Sequence, residues 1–310
     1  MLSRVAERIY WTARYLQRAE SMARLVNVYT NLLMDLPSDI DISWYNLVTL
    51  NSSESEYDAR YKIRDERNVV KFNIADDSHA NSMAECIKCV RENLRTTRDV
   101  MPENAWELIN ELSSFVENSI KDGGLNRGKR HEFLNSVINQ CQMIQGYVAS
   151  TVSHDEVWDV WCLGRGLERA DMTTRILDAG ANILKNHNYG EESHVPTVIW
   201  GNVLKSSGAH HAYRQKVSAE VLGDKVAGYL ILDDKFPRSV NFCLHQIFTS
   251  IKALPRGRKV MATCKELDIT LTKTKSFDSL GQEFSDYLND LQVKIGRLHN
   301  LFSDTWFAIK

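Results

Sequence analysis

Long hydrophobic runs are missing from this 310-residue chain, and no apolar stretch approaches the roughly 20 residues a membrane span needs. Proline is scarce: there are five, each at an expected helix boundary and none inside a helix, which suits an all-α chain. An excess of one charge is missing too, because 38 Lys and Arg stand against 40 Asp and Glu, a net charge of −2. That balance gives the surface as a whole no reason to bind nucleic acid or a membrane. The chain also lacks a G-x-x-x-x-G-K-S/T phosphate loop, a G-x-G-x-x-G turn and a G-x-S-x-G elbow. Gly164-Arg165-Gly166 is no nucleotide loop; it falls mid-helix, where small residues allow close packing.

Six cysteines (Cys86, Cys89, Cys141, Cys162, Cys243 and Cys264) are scattered and fall mostly in apolar helical patterns. Cys86 and Cys89 make a lone C-x-x-C, and no second C-x-x-C or H-x-x-x-H supplies the two further ligands that zinc needs. Glu191-Glu192-Ser193-His194 has the E-x-x-H spacing of di-iron bundles, but it is expected in a loop and lacks a second pair. No metal or other cofactor is therefore expected. Met1-Leu2-Ser3-Arg4 runs straight into a charged amphipathic segment, so no cleavable signal is expected. A reduced, cytoplasmic setting is the expectation that follows.

What the chain has in abundance is helical periodicity. A first helix is expected from an N-cap at Ser3 to about Asp35, with Leu2, Val5, Ile9, Leu16 and Ala23 on one face. Further helices are expected at about Trp44–Leu50, Tyr57–Ile74 and Ser78–Met101, then from Pro102 to Asp122-Gly123-Gly124. From Lys129 to about Asn186 the pattern stays helical, with a break near Ser153-His154-Asp155. Thr197–Ser206, Ser218–Leu232, Pro237–Leu254 and Ser276–Phe307 complete the set, and Ile269–Thr274 offers a weak strand pair.

The pattern repeats itself. Arg14-Tyr15-Leu16-Gln17-Arg18-Ala19-Glu20, continuing to Arg24-Leu25, returns 151 residues later as Arg165-Gly166-Leu167-Glu168-Arg169-Ala170-Asp171 and Arg175-Ile176. Trp44, Asn46 and Leu47 recur at Trp200, Asn202 and Val203, and Asp76-Asp77, Ser82 and Cys86 at Asp233-Asp234, Ser239 and Cys243. Offsets of 151, 156 and 157 in order indicate a duplicated unit of about 155 residues. The expected architecture is all-α: one elongated, interlocked helical bundle over 1–310, built from sequence-similar halves at about 1–150 and 151–310 and related by a pseudo-twofold. No Pro/Gly/Ser-rich linker separates the halves.

Two chemistries compete for the polar residues of the repeat. Glu20 with Arg24, and Asp171 with Arg175, have the i, i+4 spacing of a helix ion pair that fixes how helices cross. Arg14, Arg18, Arg165 and Arg169 can instead face a cavity and hold an anion. Arg91 and Arg95 lie on a basic stripe with Lys88 and Arg98, where Glu92 is a ready partner for Arg95 or Lys88. Arg238 and Ser239 follow Pro237 at a helix start, where unbonded backbone N–H groups favour an anion. As acid–base groups the candidates are Glu20, Glu92, Glu168 and Asp171.

Several motifs resemble the bacterial alpha-E domain family: Leu163-Gly164-Arg165-x-Leu167-Glu168-Arg169-Ala170-Asp171, the opening Leu2-Ser3-Arg4-Val5-Ala6-Glu7, Arg91-Glu92-Asn93-x-Arg95-x-x-Arg98-Asp99 with Trp106, and Phe236-Pro237-Arg238-Ser239-Val240. The chain departs from the family pattern at Gln17, Ala13 and Leu94, where Glu, Gly and Ala are usual. The resemblance implies an all-helical protein acting beside a circularly permuted ATP-grasp ligase and a transglutaminase-like peptidase, in systems thought to make or attach small peptides through amide bonds. Three roles stay open: binding an anionic small molecule, peptide or partner; an enzyme of the same pathway; or a structural scaffold.

Overall fold

The computed structural model describes residues 2–35, 42–185, 193–274, 276–277 and 280–308. Fourteen α-helices follow one another among these residues: α1 (Ser3–Asp35), α2 (Asn46–Leu50), α3 (Glu54–Asp58), α4 (Glu66–Ala75), α5 (Met83–Arg95), α6 (Glu103–Lys121), α7 (Arg127–Thr151), α8 (Glu156–Lys185), α9 (Val195–Ser206), α10 (His210–Lys216), α11 (Gly223–Leu232), α12 (Val240–Ala253), α13 (Arg258–Lys273) and α14 (Gln282–Phe302). A 3-10 turn at Arg98–Val100 and a π turn at Ser303–Phe307 are the other helical pieces, and the described residues contain no strand.

The helix boundaries have local causes. Leu2 rather than Ser3 supplies the first acceptor of α1, its carbonyl taking the N–H groups of Val5 and Ala6. The single helix expected over Tyr57–Ile74 is two: the Tyr57 hydroxyl donates to the Ile63 carbonyl at 2.7 Å, closing a turn, and Asp65 then caps α4 by accepting from the Asn68 N–H. The helix expected from Ser78 begins only at Met83, because Ser82 is its cap, accepting from the Glu85 N–H at 3.3 Å. Ile269–Lys273 continues α13, which overturns the strand pair there. Neither α10 nor α13 is among the expected helices. Pro102, by contrast, stands at the N-cap of α6, and the break expected near Ser153–Asp155 separates α7 from α8. The Glu191–His194 motif begins outside the described residues.

The chain divides into two compact units. Unit 1 takes Met1–Asn27, Ser43–Arg165 and Trp306–Lys310; unit 2 takes Val28–Ile42 and Gly166–Thr305. In unit 1, α4 packs on α5, α5 on α6 and α6 on α7; in unit 2, α11 packs on α12, α12 on α13 and α13 on α14.

Buried positions keep the same spacing in the two successions. Val69, Val70, Phe72 and Ile74 of α4 have buried counterparts 157 positions on at Val226, Ala227, Tyr229 and Ile231 of α11. Met83, Cys86, Ile87, Val90 and Leu94 of α5 match Val240, Cys243, Leu244, Ile247 and Ile251 of α12 at the same offset. Leu134, Val137, Cys141, Ile144 and Val148 of α7 match Leu288, Leu291, Ile295, Leu298 and Phe302 of α14 at 154. Turn chemistry repeats as well. Tyr213, like Tyr57, donates its hydroxyl to a loop carbonyl, that of Glu220, at 3.1 Å. Lys216 pairs with Asp233 as Arg60 does with Asp76.

Glycine at 164 is a packing requirement. A Cβ there would stand 2.3 Å from the Tyr10 carbonyl oxygen, so α8 can approach α1 this closely only without a side chain. Ala13 meets that same point at 3.2 Å.

Candidate functional site

Glu20 sits on the buried face of α1, among Leu16, Ala19 and Ala23, and its carboxylate is removed from water. A lone buried carboxylate is unstable, and here donors surround it. Arg24 Nη2 donates to Oε1 at 2.8 Å, and Gln142 Nε2 to the same oxygen at 3.2 Å. Gln145 Nε2 and Gln17 Nε2 donate to Oε2 at 3.2 and 3.4 Å. Gln17 accepts from Gln145 and donates to Ser21 Oγ, so two helices are tied through one buried polar network. An acid held this way is a structural anchor; its lone pairs are already occupied.

The matching acid in unit 2 is built differently. Asp171 receives Arg175 Nε at 2.8 Å, but both side chains are partly exposed, at 21% and 25%. Glu168, standing where α1 has Gln17, is buried. The i, i+4 ion pairs expected from the sequence are thus both present, one in the core and one near the surface.

The motif arginines hold loops and rings. Arg18 Nη1 donates to Asn81 Oδ1, one residue before the capping Ser82. Arg169 Nη1 reaches the Pro237 carbonyl at 3.5 Å, two residues before the capping Ser239. Thr173 reinforces this, donating to the Arg238 carbonyl at 2.8 Å. Unit 2 therefore brings Arg169, Arg238 and Ser239 together. Ser239 Oγ accepts from the Phe242 N–H at 3.1 Å and donates to the Asp233 carbonyl, so the side chain is engaged at the start of α12. In unit 1, Arg14 lies 5.0 Å from the Trp11 ring and donates to the Tyr10 hydroxyl at 3.5 Å. Arg165 is buried, 5.3 Å from the Trp158 ring, with Nη2 donating to Cys162 Sγ.

The basic stripe of α5 is pinned to its neighbours. Arg91 Nε donates to Asn110 Oδ1 at 2.7 Å, Arg95 pairs with Glu92 at 3.0 Å, and Lys88 pairs with Glu85. Arg98 lies 3.8 Å from the Trp106 ring. Arg95 and Glu92 are both more than half exposed, so that pair adds little stability.

Three polar features went unexpected. Gln142 and Gln145 complete the Glu20 network from α7. His79 is fully buried, stacks on Phe72 at 4.0 Å and bonds Glu56 Oε2 at 2.7 Å; burial lowers its pKa despite that carboxylate, so the ring is neutral at pH 7. Arg130 is buried on α7 and bonds Glu66 at 2.6 Å, and Arg127 bonds the same carboxylate. The signal for Arg130 was legible: it leads the stripe Leu134, Val137, Cys141, an arginine in an apolar series.

No cluster of His, Cys, Asp and Glu able to hold a metal occurs among the described residues. All six cysteines are free thiols, and Cys264 is pushed up to about 12 by burial. No helix of the described residues is long and apolar enough to cross a membrane.

Comparison with known proteins places these features in a family. The model of the Alpha-E family, described as a predicted alpha-helical domain with a conserved ER motif, matches residues 1–307, and the chain belongs to that family. Glu168-Arg169, inside the second copy of the repeated motif, is an ER pair; the first copy reads Gln17-Arg18. Uncharacterized proteins of Mycobacterium bovis and of Mycobacterium tuberculosis strains CDC 1551 and H37Rv are each 21% identical over 336 residues, covering 99% of this chain. The chain spans 37% of the length of these relatives. No solved structure matches.

Proposed function

We propose that this chain is a non-catalytic helical binding module, built by internal duplication, that works beside an ATP-grasp-type amide ligase and a transglutaminase-like protein in small-peptide synthesis or modification. The observation that carries the non-catalytic part is Glu20: a buried carboxylate filled by Arg24, Gln142, Gln145 and Gln17 has no lone pair facing a substrate. Supporting the duplication are the matching buried positions of α4, α5 and α7 with α11, α12 and α14. The module reading draws on the relatives, in which the matched segment is little more than a third of a longer chain. Six free thiols suit a reducing compartment.

In this reading Arg18 sets the loop before α5 in unit 1 and Arg169 the loop before α12 in unit 2, and each loop by itself offers a surface to the partner. A second reading keeps the seven arginines Arg14, Arg18, Arg91, Arg95, Arg165, Arg169 and Arg238 as contacts for an anionic peptide. The clustering of Arg169, Arg238 and the start of α12 favours it. A third makes Glu168 or Asp171 an acid–base group, since Asp171 is partly exposed.

Turnover separates the roles. The purified chain, the ligase and their mixture are assayed for amide formation and hydrolysis on the ligase's substrate and product. The module reading expects activity only where the ligase is present, and a stable complex on gel filtration. Turnover by the chain alone, lost in Asp171→Asn or Glu168→Gln, overturns it.

A further inference from the structure

A cleft of about 650 Å3 in unit 1 is lined by Glu66, Arg67 and Lys71 of α4 together with Asn126, Arg127 and Arg130 at the start of α7. Its volume falls in the range of small-molecule sites. Arg130 is the deep group, its side chain only 3% exposed. Nη2 donates to Glu66 Oε1 at 2.6 Å, Nη1 reaches the Leu125 carbonyl at 3.5 Å, and the guanidinium lies 5.3 Å from the Trp44 ring. Its Nε is buried with no acceptor among the described residues. Arg127 donates through Nε to both Glu66 oxygens, at 2.9 and 2.8 Å, while most of its own side chain is in solvent.

Packing does not require a charge here. The position 154 residues on, at the head of the α14 stripe, is Phe284, which is buried and meets Phe277 at 5.1 Å. Glu66 has Gly223 as its counterpart at the start of α11, where a Cβ would strike Trp200 Nε1 at 2.5 Å. One scaffold position thus accepts phenylalanine in unit 2 and carries a buried arginine in unit 1. Desolvating a guanidinium costs several kcal/mol, and replacing such a buried pair by apolar residues is often neutral or stabilising. The Arg130 guanidinium is oriented by Glu66 with its Nε unfilled, and its charge-assisted bonds to an oxyanion would be strong ones.

The surroundings favour an anion. Glu66 is matched by two arginines, its carboxyl held below the ordinary range by Arg127 and Arg130 against the opposing effect of burial. Arg67 and Lys71 add positive charge, leaving four basic residues against Asp65 and Glu66. Asn126, the N-cap of α7, makes no side-chain capping bond, so the positive end of a 25-residue helix lies at the same corner.

We infer that this corner binds an oxyanion, the phosphate or carboxylate group of a small molecule, with Arg130 and Arg127 as its contacts, Lys71 and Arg67 at the mouth and Glu66 as the positioning acid. The site is separate from the repeated motif and from the partner surface proposed above.

The test titrates inorganic phosphate, and separately glutarate, into the full chain at constant ionic strength set with chloride, following the arginine Nε–H signals and the melting temperature. The expected result is saturable binding of one probe, which tells phosphate from carboxylate, with affinity lowered at least tenfold in Arg130→Phe and about threefold in Lys71→Ala. Arg130→Phe leaves Glu66 paired with Arg127 and is expected to fold, melting somewhat lower than the wild type without ligand. Should it unfold, Arg127→Ala, an exposed change, carries the test with the same expected loss. No saturable binding of either probe, a response equalled by chloride, or wild-type affinity in Arg127→Ala and Lys71→Ala each overturns the proposal.

Discussion

Unit 1 and unit 2 place buried side chains at matching positions and fill some of them with different chemistry. Where unit 1 has Glu20 sealed among amides, unit 2 has Asp171 in a half-open pair. Where unit 1 has Glu66, His79 and Arg130, unit 2 has Gly223, Phe236 and Phe284. The helices form either way, so the polar groups of Glu66, His79 and Arg130 are not what helix packing demands. The lesson is a division of labour: shared residues build the scaffold, and the residues that differ are where a unit-specific role is to be sought.

Breaking the acids shows the largest contrast. Glu20→Gln removes a buried, arginine-paired charge and is expected to cost about 3 kcal/mol in urea unfolding. Asp171→Asn is expected to cost under about 1 kcal/mol, as partly exposed pairs do. Equal losses would mean the two motif copies are energetically alike after all.

The glycine of the second copy comes next. Gly164→Ala puts a methyl against the Tyr10 carbonyl and is expected to cost about 2 kcal/mol. Ala13→Gly, the converse change in the first copy, should cost about 1 kcal/mol through helix propensity alone.

A third contrast depends on pH. Burial, opposed by Glu56, lowers the His79 pKa in the folded chain, with Arg60 and Asp76 also nearby. The unfolded chain therefore binds more protons there, and stability present above about pH 6.5 is lost as pH falls through that value towards the folded pKa. His79→Phe, which copies Phe236 of unit 2, is expected to flatten this acid-side slope in thermal melts run at stepped pH. An unchanged slope would place the proton uptake elsewhere.

The smallest effects belong to the caps. Ser82→Ala and Ser239→Ala are each expected to cost about 1 kcal/mol by chemical denaturation. Ser239 should lose slightly more, since its hydroxyl also donates to the Asp233 carbonyl. A loss confined to one of them would separate the two copies at the point where they look most alike.

Much of this was legible in the sequence, and the reasons are physical. Helical period and proline placement marked α1, α6, α7 and α8 because long amphipathic stripes average out local noise. Gly164 was legible because small residues in mid-helix signal close approach. The break between α3 and α4 and the start of α11 at Gly223 rather than Ser218 were not, because they depend on tyrosine hydroxyls reaching loop carbonyls six and seven residues ahead. The helix α13 was missed because Thr270, Thr272 and Thr274 mimic a strand's alternation. The arginines of the motif pointed to a ligand on type and repetition alone. Their bonds to Asn81 and to the Pro237 carbonyl depend on residues 63 and 68 positions away, beyond any local pattern. Arg130 was overlooked because it is a single arginine outside the repeat, although its place at the head of an apolar stripe was visible.

Whether the repeated motif builds or binds is decided most directly by measuring melting temperature and ligase affinity together in Arg18→Ala and Arg169→Ala. The expected result is a melting temperature lower by about 2–4 °C in each variant, with ligase affinity falling alongside it as the loop that the arginine holds loosens. An affinity loss of tenfold or more with the melting temperature unchanged would contradict it.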